Sequence, residues 1–188
     1  IWRARNKVNG GFFKQNKPEY GGTWTFDTLV HSYGRLMPPG EYFGEHPEYF
    51  ARRGGKRVTS QPCFSSEGAV KVMAEALLQE IAEHPEWRFV TVGQNDNNNY
   101  CQALTKKYGE PSGMQLDFAH RVTKIVRRKH PGMTVNIPAY RWSRQAPQGI
   151  RPPENSIITL CSIECNFGQP LAEGYPEENA AFKKDIED

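Results

Sequence analysis

The chain has 188 residues, of which 12 % are aromatic. That is long enough for one hydrophobic core and too aromatic for a disordered chain. Its net charge of +3 is mild, and the basic residues are scattered except for Arg127, Arg128 and Lys129. At a helix end these three complement the negative end of the helix dipole, so the broad basic face of a nucleic-acid binder is not expected. No run of about 18 apolar residues offers a membrane span. The chain begins at Ile1, so the lack of a signal peptide says little about targeting.

The first strand is expected over Trp24–Val30, a run rich in aromatic, β-branched and threonine residues that ends at His31-Ser32-Tyr33. An aromatic, Pro- and Gly-punctuated excursion then occupies residues 32–66. Its rings (Tyr42, Phe43, Tyr49, Phe50) predict that it packs down as an irregular loop. Ser65 or Ser66 offers a helix N-cap, with Glu67 in the first turn. Val70, Met73, Leu77 and Ile81 form one apolar stripe, and Pro85 stops the helix.

Trp87–Gly93 is a second strand, ending at Gln94-Asn95-Asp96 before an asparagine-rich loop. Ser112 is a candidate cap for a second helix with the stripe Leu116, Ala119, Val122 and Val126. Strands follow at Met133–Tyr140 and Ser156–Ile163, with a Pro-rich loop between them, and the tail from Glu177 reads as a charged helix.

Apolar strands alternating with helices indicate an α/β fold with a parallel sheet. No glycine-rich phosphate loop follows a strand, which disfavours a nucleotide-binding open sheet. The expectation is a single domain over residues 1–188 of the (β/α) TIM-type barrel class. A whole barrel typically needs about 250 residues, so a barrel segment with its other strands outside this sequence is expected. Remaining domains of a larger polypeptide are then candidate partners.

In such folds chemistry gathers beyond the C-terminal strand ends. Four ends carry suitable groups: His31 with Tyr33; Asn95 with Asp96; Tyr140 with Arg141 and Trp142; and Glu164 with Asn166. Two carboxylates, a histidine and several aromatics suit sugar chemistry, since rings stack on pyranose faces and carboxyl groups manage protons and charge. Each also has a plainer reading. Asp96 is a candidate turn cap, and Glu164 a candidate buried ion pair with Arg141 or Arg144. His31 is a candidate core histidine, His46 a structural one, and Tyr140 and Trp142 candidate packing residues.

Cys63, Cys101, Cys161 and Cys165 contain no C-x-x-C pair, so no structural zinc is expected. Partly buried thiols are expected, or a disulfide in an exported protein. His31, Asp96 and Glu164 are permitted metal ligands, yet no H-E-x-x-H or calcium loop is present. Neither metal nor cofactor is expected.

Several segments resemble a known family when taken in order. They are His31-Ser32-Tyr33, Pro38-Pro39, Tyr42-Phe43, His46 to Phe50, Gly55 to Arg57, and Gln61 to Ser65. Asn95-Asp96, Tyr100-Cys101, Ala139-Tyr140, the run Cys161 to Phe167, and Pro170-Leu171 continue the match. Together they resemble domain of unknown function family 4838. Its members resemble glycoside hydrolase family 163, endo-β-N-acetylglucosaminidases that cut complex N-glycans.

The resemblance implies an extracytoplasmic barrel hydrolase acting on a glycan or glycoprotein. It also implies retention of configuration, with the substrate's own 2-acetamido oxygen as nucleophile. Asn95 and Asp96 are then expected to meet the acetamido group and Glu164 to serve as acid/base, the reverse being the rival assignment. A dry strand end favours the raised pKa an acid needs, which suits Glu164. His31, Tyr33, Tyr100, Tyr140, Trp142 and Asn166 are the expected substrate contacts. Departures from the family pattern are Asn97 after Asp96, Gln102-Ala103-Leu104, Trp142 and Gln169. The alternative to an enzyme is a non-catalytic carbohydrate-binding domain derived from such a barrel.

Overall fold

The computed structural model describes residues 25–101, 105–161, 163, 165–168 and 176–188. Their main sheet holds four parallel strands: β1 (Thr25–Phe26), β4 (Trp87–Thr91), β5 (Thr134–Ala139) and β6 (Ser156–Leu160). They lie side by side in sequence order, with no reversal of direction along the sheet.

Two long helices cover the sheet, α3 (Glu67–Glu83) and α5 (Pro111–Lys129), with the single turn α4 (Thr105–Tyr108) between them in the chain. Ser66 caps α3 by accepting from the Ala69 amide at 3.2 Å, and the expected stripe Val70, Met73, Leu77 and Ile81 is buried. Leu116, Ala119, Val122 and Val126 are likewise the buried face of α5. That helix begins at Pro111 rather than being capped by Ser112, whose residue is buried within the first turn. Proline suits this position because its missing N–H would have no intrahelical partner anyway. Arg127, Arg128 and Lys129 fill the last turn, as charge–dipole complementarity demands. The tail forms α6 (Pro176–Glu187).

The strands alternate more than the sequence suggested. Val90, Val92, Val135 and Ile137 join α3 and α5 in one core. Thr91 and Asn136 alternate with them and are also buried. The Asn136 amide donates to Thr91 Oγ1 at 3.1 Å and accepts from Thr159 Oγ1 at 2.5 Å. Thr91 in turn donates to the Thr28 carbonyl. A row of polar side chains therefore crosses the sheet on that face, and each pairing offsets the cost of burial.

β1 is far shorter than the expected Trp24–Val30, whose Trp24 lies outside the described residues. After Phe26 the Asp27 side chain turns inward to Arg35, 2.7 Å away. The Thr28 carbonyl is satisfied by a threonine hydroxyl instead of a neighbouring strand.

The excursion over residues 32–66 is also more ordered than a loop. It holds two single-turn helices, α1 (Tyr33–Leu36) and α2 (Pro39–Tyr42), a 3-10 turn at Pro47–Tyr49, and an antiparallel hairpin. The hairpin pairs β2 (Phe50–Arg53) with β3 (Lys56–Pro62). Gly54 and Gly55 make its turn with φ of +55° and +81°, the left-handed pair that suits the twist of a two-residue hairpin. As expected, the aromatics pack down: Phe50 is buried, and Tyr42, Phe43 and Tyr49 lie against the core. No helix among the described residues is long and apolar enough to cross a membrane.

Candidate functional site at the strand ends

The segments that follow β1, β4 and β5 are tied together by hydrogen bonds, beginning at Gly93, two residues beyond β4. Ser32 and Tyr33 both donate their amides to the Gly93 carbonyl, at 3.0 and 3.1 Å. Gly93 returns its amide to Ser32 Oγ at 2.9 Å. Only glycine fits there: a Cβ would sit 2.6 Å from the Val30 carbonyl oxygen and 3.0 Å from the Pro138 ring.

Gln94 follows, fully buried, and is a hub the sequence reading did not single out. Its amide nitrogen donates to the Tyr140 carbonyl at 3.0 Å, and its amide oxygen accepts from Ser143 Oγ. Its backbone carbonyl lies 2.6 Å from His31 Nδ1. A carbonyl only accepts, so Nδ1 carries the proton and neutral His31 presents Nε2 as an acceptor. Gln94 thus fixes the His31 tautomer and the position of Tyr140 together.

Asn95 is held on every side. Its Oδ1 accepts from the Gly34 amide at 2.9 Å, and its Nδ2 donates to the Ser60 carbonyl at 2.8 Å. Its backbone exchanges hydrogen bonds with the Gln61 side chain at 2.8 and 3.2 Å. Asn97 Nδ2 and Asn99 Nδ2 also donate to Ser60, at 3.2 and 2.9 Å. The asparagine run is therefore a clamp onto β3 through Ser60 and Gln61; Gln61 opens one of the family-matching segments, but neither residue was expected at the site.

Asp96 points away from this clamp. Its Oδ1 accepts from the Tyr140 hydroxyl at 3.0 Å and from Arg141 at 2.9 Å. The carboxylate caps no turn; it reaches across to the end of β5. Both donors, with Tyr140 foremost, hold its pKa below the ordinary carboxylate value, and the charge of His31 when protonated acts in the same sense. Asp96 is an ionised acceptor at neutral pH. Reciprocally, partial burial and then the Asp96 charge raise the Tyr140 phenol.

Arg141 sits at φ +53°, a left-handed conformation that costs a non-glycine residue of order 1 kcal/mol or more. The tight turn at Arg141–Ser143 is closed by the Tyr140 amide donating to Ser143 Oγ at 3.2 Å.

Two ring pairs lie along these strand ends, one of them, Tyr100 with Trp142, packed against the core. The rings of His31 and Tyr140 lie 5.7 Å apart, and those of Tyr100 and Trp142 5.0 Å apart. Trp142 donates its indole N–H to the Asn97 carbonyl at 2.9 Å, and Arg53 lies over the Tyr100 ring at 4.8 Å.

The structure thus brings together His31, Asp96 and Tyr140, while the Asn95 side chain is directed to Gly34 and Ser60, and Tyr100 and Trp142 pack on each other and against the core. Tyr33 does not join the first three. It is 1 % exposed, and its ring packs edge-on against Phe64 and Phe118. The first turn of α1 directs it into the core, and burial raises its phenol pKa. Asn166 is engaged with α6: its amide donates to Asn179 Oδ1 at 2.8 Å. Glu164 lies outside the described residues. Among the described residues Arg141 pairs with Asp96 and Arg144 with Asp185, at 2.9 and 2.5 Å. His46 stacks on Tyr49 at 4.5 Å, a structural placement.

The described residues form a mixed α/β protein whose main sheet has four parallel strands, flanked by helices. The chain belongs to the domain of unknown function family DUF4838, whose model matches residues 1–188. No curated protein and no solved structure matches it.

Proposed function

We propose that the strand-end cluster around Asp96 binds N-acetylglucosamine-containing glycans, and that the chain is a glycoside hydrolase of substrate-assisted, retaining type built on a (β/α) barrel. The observation that carries this reading is the Asp96 carboxylate, ionised and fixed by Tyr140 and Arg141. Parallel strands that are neighbours both in sequence and in space support the barrel reading.

In this chemistry the acetamido oxygen of the substrate attacks the anomeric carbon as the glycosidic bond breaks. Asp96, a hydrogen-bond acceptor, orients the acetamido N–H and offsets the positive charge that develops on the ring formed. Asn95, whose side chain holds Gly34 and Ser60, sets the position of Asp96. His31 Nε2, Tyr140 and the Tyr100–Trp142 pair supply polar and stacking contacts to the sugar. Asp96, held ionised, is the wrong group to donate a proton. The acid that protonates the leaving oxygen, and later deprotonates the attacking water, falls to Glu164. The same setting suits a secreted or surface-exposed protein that meets host or plant glycans.

The test is mass-spectrometric. The chain, its Glu164→Gln variant and its Asp96→Asn variant are incubated with N-glycoproteins and chitobiose-linked oligosaccharides. Release of glycan by the wild type, lost in both folded variants, is the expected result. Saturable glycan binding without release by any of the three overturns the hydrolase and identifies a carbohydrate-binding domain. Neither binding nor release overturns the sugar site altogether.

A further inference from the structure

Cys63 follows directly on β3, and Cys101 lies in the irregular segment that starts after β4 and carries Asp96. Although 38 positions apart, their sulfur atoms lie 3.2 Å from one another. Both residues are buried in the core. Two elements therefore meet there: the hairpin, through Cys63, and the loop carrying Asp96, through Cys101. We propose that Cys63 and Cys101 are a disulfide-forming pair that, when oxidised, locks the Asp96 loop onto the β2–β3 hairpin.

The chemistry around Cys63 suits the attacking role. Ser65 Oγ lies 3.3 Å from its sulfur. Hydrogen bonding from Cys101 foremost, with help from Ser65 and Arg57, pulls the Cys63 thiol down to about 5. Thiolate, the nucleophilic form, is then present at neutral pH.

The oxidant required is a low-molecular-weight disulfide. The Cys63 thiolate attacks one of its sulfurs, the external S–S bond breaks, and one half leaves as a thiolate that takes a proton from water. Cys101 then gives its proton to water and its thiolate attacks Cys63 Sγ. The mixed S–S bond breaks and the second half leaves. Two cysteine thiols lose two electrons, and the external disulfide becomes two thiols. Burial means that the oxidant reaches the pair during local opening of the loop or before folding is complete. The closed loop constrains the unfolded chain, and Asp96 lies within it, so oxidation stiffens the support of the candidate site.

The experiment equilibrates the folded chain with oxidised and reduced glutathione, and refolds a second sample in the same buffer. After alkylation, tryptic peptides are mapped by mass spectrometry. The peptides spanning Val58–Lys71 and Phe89–Lys106 are expected as one species, two hydrogens lighter than their sum, in at least one sample. Reduction separates them, and Cys63→Ser removes the species. The oxidised chain is expected to melt on the order of 10 °C above the reduced one, a shift absent in Cys63→Ser. Recovery of both cysteines as separate alkylated peptides from both samples overturns the proposal. So does a glutathione adduct that persists on Cys63, because Cys101 would then not resolve it.

Discussion

The Tyr140 hydroxyl and the Arg141 guanidinium converge on one oxygen of Asp96, from 3.0 and 2.9 Å. These adjacent residues end β5, whereas Asp96 lies in the loop after β4, so the contact bridges two strand ends. Tyr140 and Arg141 both lower the Asp96 pKa, and Asp96 in turn adds to burial in raising that of Tyr140.

That coupling is measurable by ultraviolet titration of the tyrosines. Asp96 raises the Tyr140 phenol, so Asp96→Asn should lower the pKa of one tyrosine. In a Tyr140→Phe background the same substitution should leave the tyrosine titration unchanged. A shift that persists there would place the effect on another ring.

Gln94 offers a test of how the strand ends are held. In Gln94→Ala the Tyr140 carbonyl loses one of its donors and the Ser143 hydroxyl loses its Gln94 acceptor, while the hydrogen bonds between Ser143 and Tyr140 remain. With about 0.5–1.5 kcal/mol for each hydrogen bond lost, a loss of about 1–3 kcal/mol is expected in chemical denaturation. Glycan affinity should fall along with it, because Tyr140 is then free to shift. Unchanged stability would show that the loop relaxes onto other partners.

Asp27 should give a pH dependence opposite in sign to the usual aspartate. Burial, its largest influence, raises its pKa above 3.8, outweighing Arg35. The folded state therefore binds this proton more tightly than the unfolded state. The associated stability is fully present below 3.8 and is lost as pH rises through the higher folded value. Melting curves of wild type and Asp27→Asn should show the wild type gaining on the variant as pH falls through that window. A wild type that instead loses ground there would mean that the Arg35 ion pair outweighs burial.

Tyr33 and Tyr140 should respond differently to the same change. The Tyr33 hydroxyl is buried with no partner among the described residues. Tyr33→Phe should therefore stay within about 1 kcal/mol of wild-type stability, on the stabilising side, with glycan binding retained. Tyr140→Phe removes the foremost influence on Asp96 and should weaken glycan binding severalfold. Calorimetric titration with a chitobiose-linked oligosaccharide distinguishes the two, and equal losses would undo the placement of Tyr33 in the core.

The long helices were legible because each carries its own stripe, cap or stop. Val70, Met73, Leu77 and Ile81 recur at helical spacing whatever surrounds them, and Ser66 caps through a contact three residues away. Parallel strand class was legible from the alternation of apolar runs with these helices, and Asp96 and Tyr140 stood out at strand ends. Gly54 and Gly55 were legible only as loop punctuation, and the β2–β3 hairpin around them was not, because its flanking residues alternate too weakly to mark strands.

Other features depend on groups far apart in the chain. Only the tertiary structure shows that Tyr33 turns into the core while His31, two residues earlier, faces Tyr140. A single-turn helix swings successive side chains through large angles, which composition does not record. Gln94, Ser60 and Gln61 are ordinary polar residues until the fold places them opposite Tyr140 and the asparagine loop. The sequence by itself determined the long helices and the alternation of parallel strands with them, through local periodicity and capping, but not the β2–β3 hairpin, the short helices before it or the extent of β1. The tertiary structure decided which polar groups meet at the strand ends, because hydrogen bonds between distant residues exist only once the sheet has set their positions.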